Sequence, residues 1–537
     1  MERKWILIAV ALAAVLLVGV GGTYYYVLQP TAKPREQTLV IAYADCPGKN
    51  KWLDPGVSNP HMPHSGEVIA NVMERLVGFE YPECTEIEGR LATSWTTSSD
   101  GKIYTFELRQ GVKFHDGTPF NASAVKFSLE RSFEGNKGYI QGLITEIDKI
   151  EIVDDYTVRI VLTDSYAPLL RVLTHWGFSI YSPTAVQKYG EDFWKNIVGT
   201  GPFKLESLIP EETTVLVKNE EYWRGPPKLD KIIIKVVTTW AAARIMLETG
   251  EIDMCHVFNS VYWGDMPKDV SAMEANPEIE VIEAPSLAIR YVGINTAKEP
   301  WTDIRLRKAI AYALDYDSFI DDVMWGAASR AYSLIPPTMF SSDPDVQPKY
   351  DKNLTRAKEL LAEAGYPNGE GFPKLTLLYF SPQTVFRDKS IVIQQNLAEL
   401  GIESDIVGKD FGPAIEDLLA GRFDLYPCGM TGPGINYPDI LIYTQYHSSL
   451  IGKVANYFAF GNPEVDAALE SGRRTTDVDE QLKAYEDFQA LTNDLLPAIP
   501  TYTIDLIIYH RTDVHGLPTT SPAVNFWLEA YPYVYKE

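Results

Sequence analysis

The stretch KIYTFELRQGVKFHDGTPFNASAVKFSLERSF, Lys102 to Phe133, carries three structural signals in a fixed order. Tyr104, Phe106 and Leu108 alternate with Thr105, Glu107 and Arg109, the period of two that marks a strand buried on one face. His115-Asp116-Gly117-Thr118-Pro119 follows, residues that tolerate or demand a tight turn. Asn121 then occupies an N-cap position ahead of Ala122, Val125, Phe127 and Leu129, whose spacing predicts a helix.

Around this strand, turn and helix lie 537 residues of 45% hydrophobic composition. Single cores stop growing at roughly 250 to 300 residues, so at least two lobes are expected. The formal charge of -24 repels phosphate backbones and anionic headgroups, which argues against a nucleic-acid or peripheral membrane role. Near the N-terminus, Arg3 and Lys4 precede an apolar run from Trp5 to Leu28. At about 23 residues it is long enough to span a bilayer, and TYYYVLQP offers no clear cleavage site. The expectation is an uncleaved anchor with its charged end in the cytoplasm, and the chain beyond about Gln29 outside the cell. Thr31 to Gln37 reads as a tether.

Thr38 to Ala44 is a buried-strand candidate, and Gly66 to Leu76 has helical apolar spacing. Ile147 to Val153 and Tyr156 to Leu162 form a hairpin pattern across Asp154-Asp155. Ala241 to Thr249 reads as a helix closed by Gly250, ahead of the strand Ile252 to Val257. Thr302-Asp303 opens a helix with the apolar face Ile304, Leu306, Ile310, Ala313 and Leu314. Leu375 to Phe380, Ser390 to Leu400 and Glu403 to Val407 alternate strand, helix, strand, as in an α/β lobe. No repeat of 20 to 50 residues is visible.

Catalytic signals are missing from the sequence. There is no GxSxG elbow and no HExxH. The pairs Asp154-Asp155 and Asp321-Asp322 are adjacent, so their side chains do not face one another on a helix. His61 and His64 lie in a Pro-rich loop, and Cys46, Cys84, Cys255 and Cys428 form no CxxC. No catalytic residue, metal or cofactor is expected. The glycines of Gly199-Thr200-Gly201-Pro202 precede a strand, so a turn is expected there and no phosphate cradle.

The Lys102–Phe133 string resembles the signature of the family 5 extracellular solute-binding proteins, the dipeptide, oligopeptide and nickel binders that deliver cargo to ABC importers. Archaeal and thermophile members are among those it resembles. Trp52-Leu53-Asp54-Pro55 is similar to that family's LDP loop, Gly199 to Lys204 to its GTGPY element, and Glu221-Tyr222-Trp223 to its NxxYW element. TDIRLRKAIAYALDYDSFI, from Thr302, is a further match. Ser286 to Asn295 and Leu495 to Ile507 resemble its two hinge strands. The resemblance implies an α/β, periplasmic-binding-protein-like fold of the class II, cluster C type, with two lobes joined by two hinge strands and an extra subdomain in the first. On this reading residues 1–36 are anchor and tether. The first lobe is built from 37–78, 197–288 and 504–537, the inserted subdomain from 79–196, and the second lobe from 289–503. Relatives also imply a Cys46–Cys255 disulfide, with Cys84 an equally legal partner for Cys46.

The same resemblance implies a monomer that closes over a small molecule and docks on permease subunits, with a secreted hydrolase or receptor as the reading from another class. In peptide-binding relatives an Asp in a G-W-x-x-D-x-x-x-P segment holds the α-ammonium. Here the matching position falls on Gly434 or Pro433, neither of which carries a charge, and Asp439 follows Pro438. An oligosaccharide, stacked on aromatics as in some thermophile relatives, is therefore the expected cargo, with a peptide or nickel chelate as the alternative. The candidate ligand residues are Trp52, Trp240, Tyr262, Trp263, Phe386, Met430, Asn436, Tyr437 and Asp439.

Overall fold

The computed structural model describes residues 37–44, 53–56, 63–81, 86–135, 144–257, 266–381, 383–431, 437–452, 456–519 and 531–537. Strand β1 (Thr38–Tyr43) is followed by a helix, Pro63–Val72, and a short hairpin of β2 (Val77–Phe79) and β3 (Ile87–Gly89). Strands β4 (Ala92–Thr97), β5 (Ile103–Leu108), β6 (Ile147–Asp154) and β7 (Thr157–Leu162) form an antiparallel sheet in the order β4-β5-β7-β6. The alternation read in β5 is real: Tyr104, Phe106 and Leu108 are buried and Ile103 and Glu107 exposed. In the turn that follows, the Asp116 carboxylate accepts from the Thr118 amide at 3.0 Å and from Ser182 Oγ at 2.6 Å. Gly117 sits at φ +83°, where a side chain would be strained. Asn121 Oδ1 accepts from the Ala124 amide and caps the helix Ala122–Gly135.

The chain then builds β8 (Phe203–Ile209), β9 (Thr213–Lys218), β10 (Lys231–Val236), β11 (Met254–Val257), β12 (Ile279–Ile294) and β13 (Ala328–Arg330). These are joined by β14 (Leu375–Phe380), β15 (Ser404–Lys409), β16 (Leu425–Thr431) and β17 (Ala498–Arg511). Among the described residues they form one large sheet in the order β15-β14-β16-β12-β17-β11-β1-β10-β9-β8, with β13 on β17. The long antiparallel pair β12 and β17 carries the sheet from one half of the molecule to the other. From Ile279 to Pro285, β12 pairs with Asp505–Arg511 beside β11; from Ile289 to Gly293 it pairs with Ala498–Thr503 beside β16. The ladder breaks between Pro285 and Ile289, where Ser286 Oγ donates to the Ile504 carbonyl and accepts the Ala288 amide.

One apolar core gathers Leu39, Ile41, Ile232 and Ile234 with Leu506, Ile508, Tyr531 and Val534 from the end of the chain. A second packs Leu306, Ile310, Leu377 and Ile393 on the other half of the sheet. A third is continuous from Phe106, Leu129 and Ile160 of the small sheet to Tyr437, Tyr446 and Phe488. The helix expected from Ser390 starts earlier, at Thr384, and runs to Glu399.

One expectation needs correction. Cys255 is a free, buried thiol, so the Cys46–Cys255 disulfide is not made; Cys46 and Cys84 lie outside the described residues. Cys255 pairs with Ala42 across β1 and β11 and packs among Trp240, Leu247 and Tyr509, where burial pushes its thiol far up. No helix among the described residues is long and apolar enough to cross a membrane, and the Trp5–Leu28 run lies outside them.

Candidate functional site

Strand directions locate the crevice. β1, β10 and β11 are mutually parallel in one half of the sheet, and β14, β15 and β16 in the other. β11 is antiparallel to β17, β17 to β12 and β12 to β16, so the two parallel sets point at each other. Their carboxyl ends, at Tyr43 and Val257 on one side and Phe380 and Thr431 on the other, face one another across the ladder break. Ligands of open α/β sheets bind outside such carboxyl ends.

The expected ligand residues follow these strand ends in sequence. Trp52, Tyr262, Trp263 and Asn436, with Pro433 and Gly434, lie outside the described residues. Met430 is the penultimate residue of β16 and half-buried; Phe386 is buried in the first turn of the helix after β14. Tyr437 is buried, stacked on Phe340 at 5.4 Å and edge-on to Tyr485.

Two of the expected residues are engaged elsewhere. Trp240 begins the helix Trp240–Glu248, where its ring stacks on Tyr509 and its Nε1 donates to Asp269 at 2.6 Å. Asp439, 1% exposed, pairs with the Arg473 guanidinium at 3.3 Å and accepts from the Tyr166 hydroxyl at 3.1 Å. Burial raises the Asp439 carboxyl, against the pull of Arg473. A carboxylate held by a buried arginine is poorly placed to anchor a ligand ammonium.

The motif residues from Gly199 onward act as a stitch. Glu74, just beyond the helix Pro63–Val72, accepts from Thr200 Oγ1 at 2.8 Å, the Tyr222 hydroxyl at 2.8 Å and Trp223 Nε1 at 2.7 Å. A Cβ on Gly199 would sit 2.2 Å from the Val72 carbonyl oxygen, so the turn can close on the helix only with glycine. His115 Nε2 lies 2.9 Å from the Gly201 carbonyl oxygen, and burial pulls the imidazole down to about 4, leaving it neutral at pH 7 and able to donate. The expected turn is thus a clamp between the strand-turn-helix unit and the first half of the large sheet.

The sequence reading missed two buried cations beside the crevice. Arg290, 2% exposed, projects from β12 opposite Gly429, and its Nη1 lies 3.4 Å from the Met430 carbonyl oxygen. Lys389 is fully buried; its Nζ donates to the Tyr291 carbonyl at 2.9 Å and to Thr501 Oγ1 at 3.0 Å. Burial pulls both groups down, and Arg290 lowers Lys389 further. Burial also pushes the neighbouring Cys428 thiol up to about 12, so it is protonated and adds no anion. The available signal was a charge interrupting an apolar run, Arg290 within SLAIRYVGI; Lys389 follows Arg387 and Asp388 and stands out from nothing around it.

Comparison with known proteins places this arrangement. The profile of the bacterial extracellular solute-binding proteins, family 5 Middle, matches residues 86–452. The glutathione-binding protein GsiB of Salmonella typhi is 30% identical over 485 residues, 86% of this chain and 89% of that protein. Heme-binding protein A of Haemophilus influenzae is 32% identical over 455 residues, 80% of this chain and 81% of the relative. Among solved structures, the periplasmic binding protein DppA of Helicobacter pylori, in complex with the peptide STSA, superposes with a TM-score of 0.79 at 29% identity, covering 93% and 98% of the two chains.

Proposed function

The chain belongs to the bacterial extracellular solute-binding proteins of family 5, the substrate-binding proteins of ABC importers, and from that premise we propose that its cargo is a small peptide-like molecule bearing a free carboxylate. The observation that carries this reading is the pair of carboxyl-end edges facing each other across a break in β12 and β17, a crevice that hinge motion can open and close. Glutathione, haem and the tetrapeptide named for the relatives differ in size and shape, and all three bear carboxylates. The position expected to carry an ammonium anchor is Gly434 or Pro433, so recognition of this cargo rests more on its acid end than on its amino end. The protein does no chemistry in this reading: it closes as a monomer over its ligand, and the permease and its ATPase supply the rest. Trp5–Leu28 holds it at the outer face of the membrane.

An oligosaccharide is the second reading, favoured by the uncharged residues at 433 and 434 alone. Trp240 and Tyr437, two of the aromatics expected to stack on sugar rings, are occupied by Tyr509 and Phe340. Calorimetry on protein lacking residues 1–36 should show micromolar or tighter binding of glutathione or Ser-Thr-Ser-Ala and none of neutral oligosaccharides. Tight binding of a neutral oligosaccharide, with no response to either peptide, would overturn the peptide reading.

A further inference from the structure

We propose that residues 324–328 latch the two halves of the molecule together along the edge of β17 that faces away from β12, and that this latch parts when the crevice opens. The register of β17 places it. β11 lies along one edge of β17 from His510 to Ile507, and β13 takes up the same edge from Ile504 to Tyr502, while β12 holds the other. β11 and β13 therefore run on one line in one direction, the first belonging to one half of the molecule and the second to the other. Between them, among the described residues, Leu506 and Asp505 have no strand partner on that edge, and the Asp505 amide donates instead to the Ala327 carbonyl oxygen at 3.3 Å. The gap lies beside the break of β12 between Pro285 and Ile289, so residues 324–328 span the line about which the halves turn.

Packing and backbone agree with that position. Ala327 and Ala328 are consecutive yet buried in different cores: Ala327 among Ala42, Trp240, Cys255 and Tyr509 of the first half, Ala328 among Phe319, Val323 and Ile504 of the second. Close-packed cores do not stretch, so the two halves cannot rotate apart while both residues stay seated. Trp325 and Gly326 precede them at φ +50° and +87°. Glycine adopts such a backbone freely; a tryptophan there is strained and stays only where its contacts hold it. The contact comes from the first half. Lys268, in the short helical turn Met266–Asp269 between β11 and β12, places its Nζ 4.1 Å from the centre of the Trp325 ring. The face of an indole attracts a cation. Lys268 is exposed, so water moderates that attraction and leaves a contact weak enough to part in each cycle. Closure then draws on this latch as well as on the cargo.

The test is hydrogen exchange read by mass spectrometry, with small-angle scattering, on protein lacking residues 1–36 and without any cargo, so it stands apart from the cargo reading; Thr38–Glu537 forms one compact unit. Lys268→Met keeps the reach of the side chain and removes its charge. It should speed exchange in the peptides covering residues 319–330 and 500–508 by roughly 2- to 5-fold while β14 and β15 exchange as before. Trp325→Leu should do the same, and the double variant should go no further than Trp325→Leu alone, because both changes remove one contact. Ala327→Leu overfills the first half's core, and its radius of gyration should exceed that of the native protein. Unchanged exchange in Lys268→Met overturns the proposal, as does a folded Ala327→Leu of native size. Exchange that rises equally in β14 and β15 also overturns it, since that is a general loss of stability and not a parted latch. If Ala327→Leu does not fold, the exchange of Lys268→Met decides alone.

Discussion

Asp505 lies opposite Pro285 in the pairing of β17 with β12, diagonal to Glu283 on the same face. Burial, and then the charge of Glu283, raise its carboxyl to about 6; burial, and then Glu274, raise Glu283 as well. A carboxyl raised in the folded state holds its proton more tightly there than in the unfolded chain. Its contribution to stability is therefore fully present below about pH 4 and is lost as pH rises through about 6. Asp505→Asn should stabilise the protein above pH 6 by about 1 kcal/mol, a figure reduced because the group is partly exposed. Urea melts at pH 7.5 and pH 4 check this: the gain must disappear at the lower pH, and equal gains at both would mean that charge is not its origin. The chain gave no warning of this pair, because Glu283 and Asp505 lie far apart in sequence and only the register of β12 on β17 brings them together. Lys389, and the depth at which Arg290 is buried, were illegible for a related reason. A charged side chain is ordinarily solvated, and only tertiary structure shows one that is not.

Elements were more readable than residues. The Lys102–Phe133 unit forms as expected because each local preference agrees with its neighbour: alternation in β5, an aspartate-glycine turn and an asparagine cap. The helix at Thr384 was read too short, since Arg387, Asp388 and Lys389 obscure its apolar period and Lys389 is in fact on the buried face. The glycines from Gly199 were read correctly as a turn, but their role as a clamp on Glu74 depends on a carboxylate more than 120 residues earlier in the chain. One element is predicted from composition alone. Trp5–Leu28 is apolar over a spanning length, while the rest of the chain has ordinary globular composition. Full-length protein should therefore sediment with membranes and resist extraction by high salt, and protein starting near Pro34 should remain in the supernatant. A mature N-terminus near Thr31, found by terminal sequencing, would replace the anchor with a cleaved leader.

At the scale of the whole molecule, the question is which contacts open when the crevice does. The unit carrying β4 to β7 is tied to the first half of the large sheet by Glu74, by His115 on Gly201 and by Arg131 on Asp54 at 2.6 Å. It also touches the second half through a buried charge cluster. Arg473 pairs with Asp439 at 3.3 Å and Glu146 at 3.6 Å, and Arg474 with Glu146 at 3.5 Å. Ser165 Oγ donates to the Arg474 carbonyl, and the Ala167 amide to the Arg473 carbonyl. If the unit rides with the first half, rotation about the break at Pro285–Ile289 must part this cluster and return its charges to water. Two acids and two arginines can separate with little net cost, because the hydration regained offsets the Coulomb attraction lost. Removing one partner is different. Arg473→Ala leaves the buried Asp439 without its cation, and Glu146 with Arg474 alone, only in the closed state, which should lose about 3 to 5 kcal/mol. The expected outcome is a larger radius of gyration without cargo and affinity weakened by two orders of magnitude or more. Arg473→Met combined with Asp439→Asn and Glu146→Gln should recover most of both, since no buried carboxylate then lacks its partner. Small-angle scattering and calorimetry decide it. If Arg473→Ala lowers the melting temperature while size and affinity stay unchanged, the cluster remains shut throughout the cycle, and the β4 to β7 unit travels with the second half.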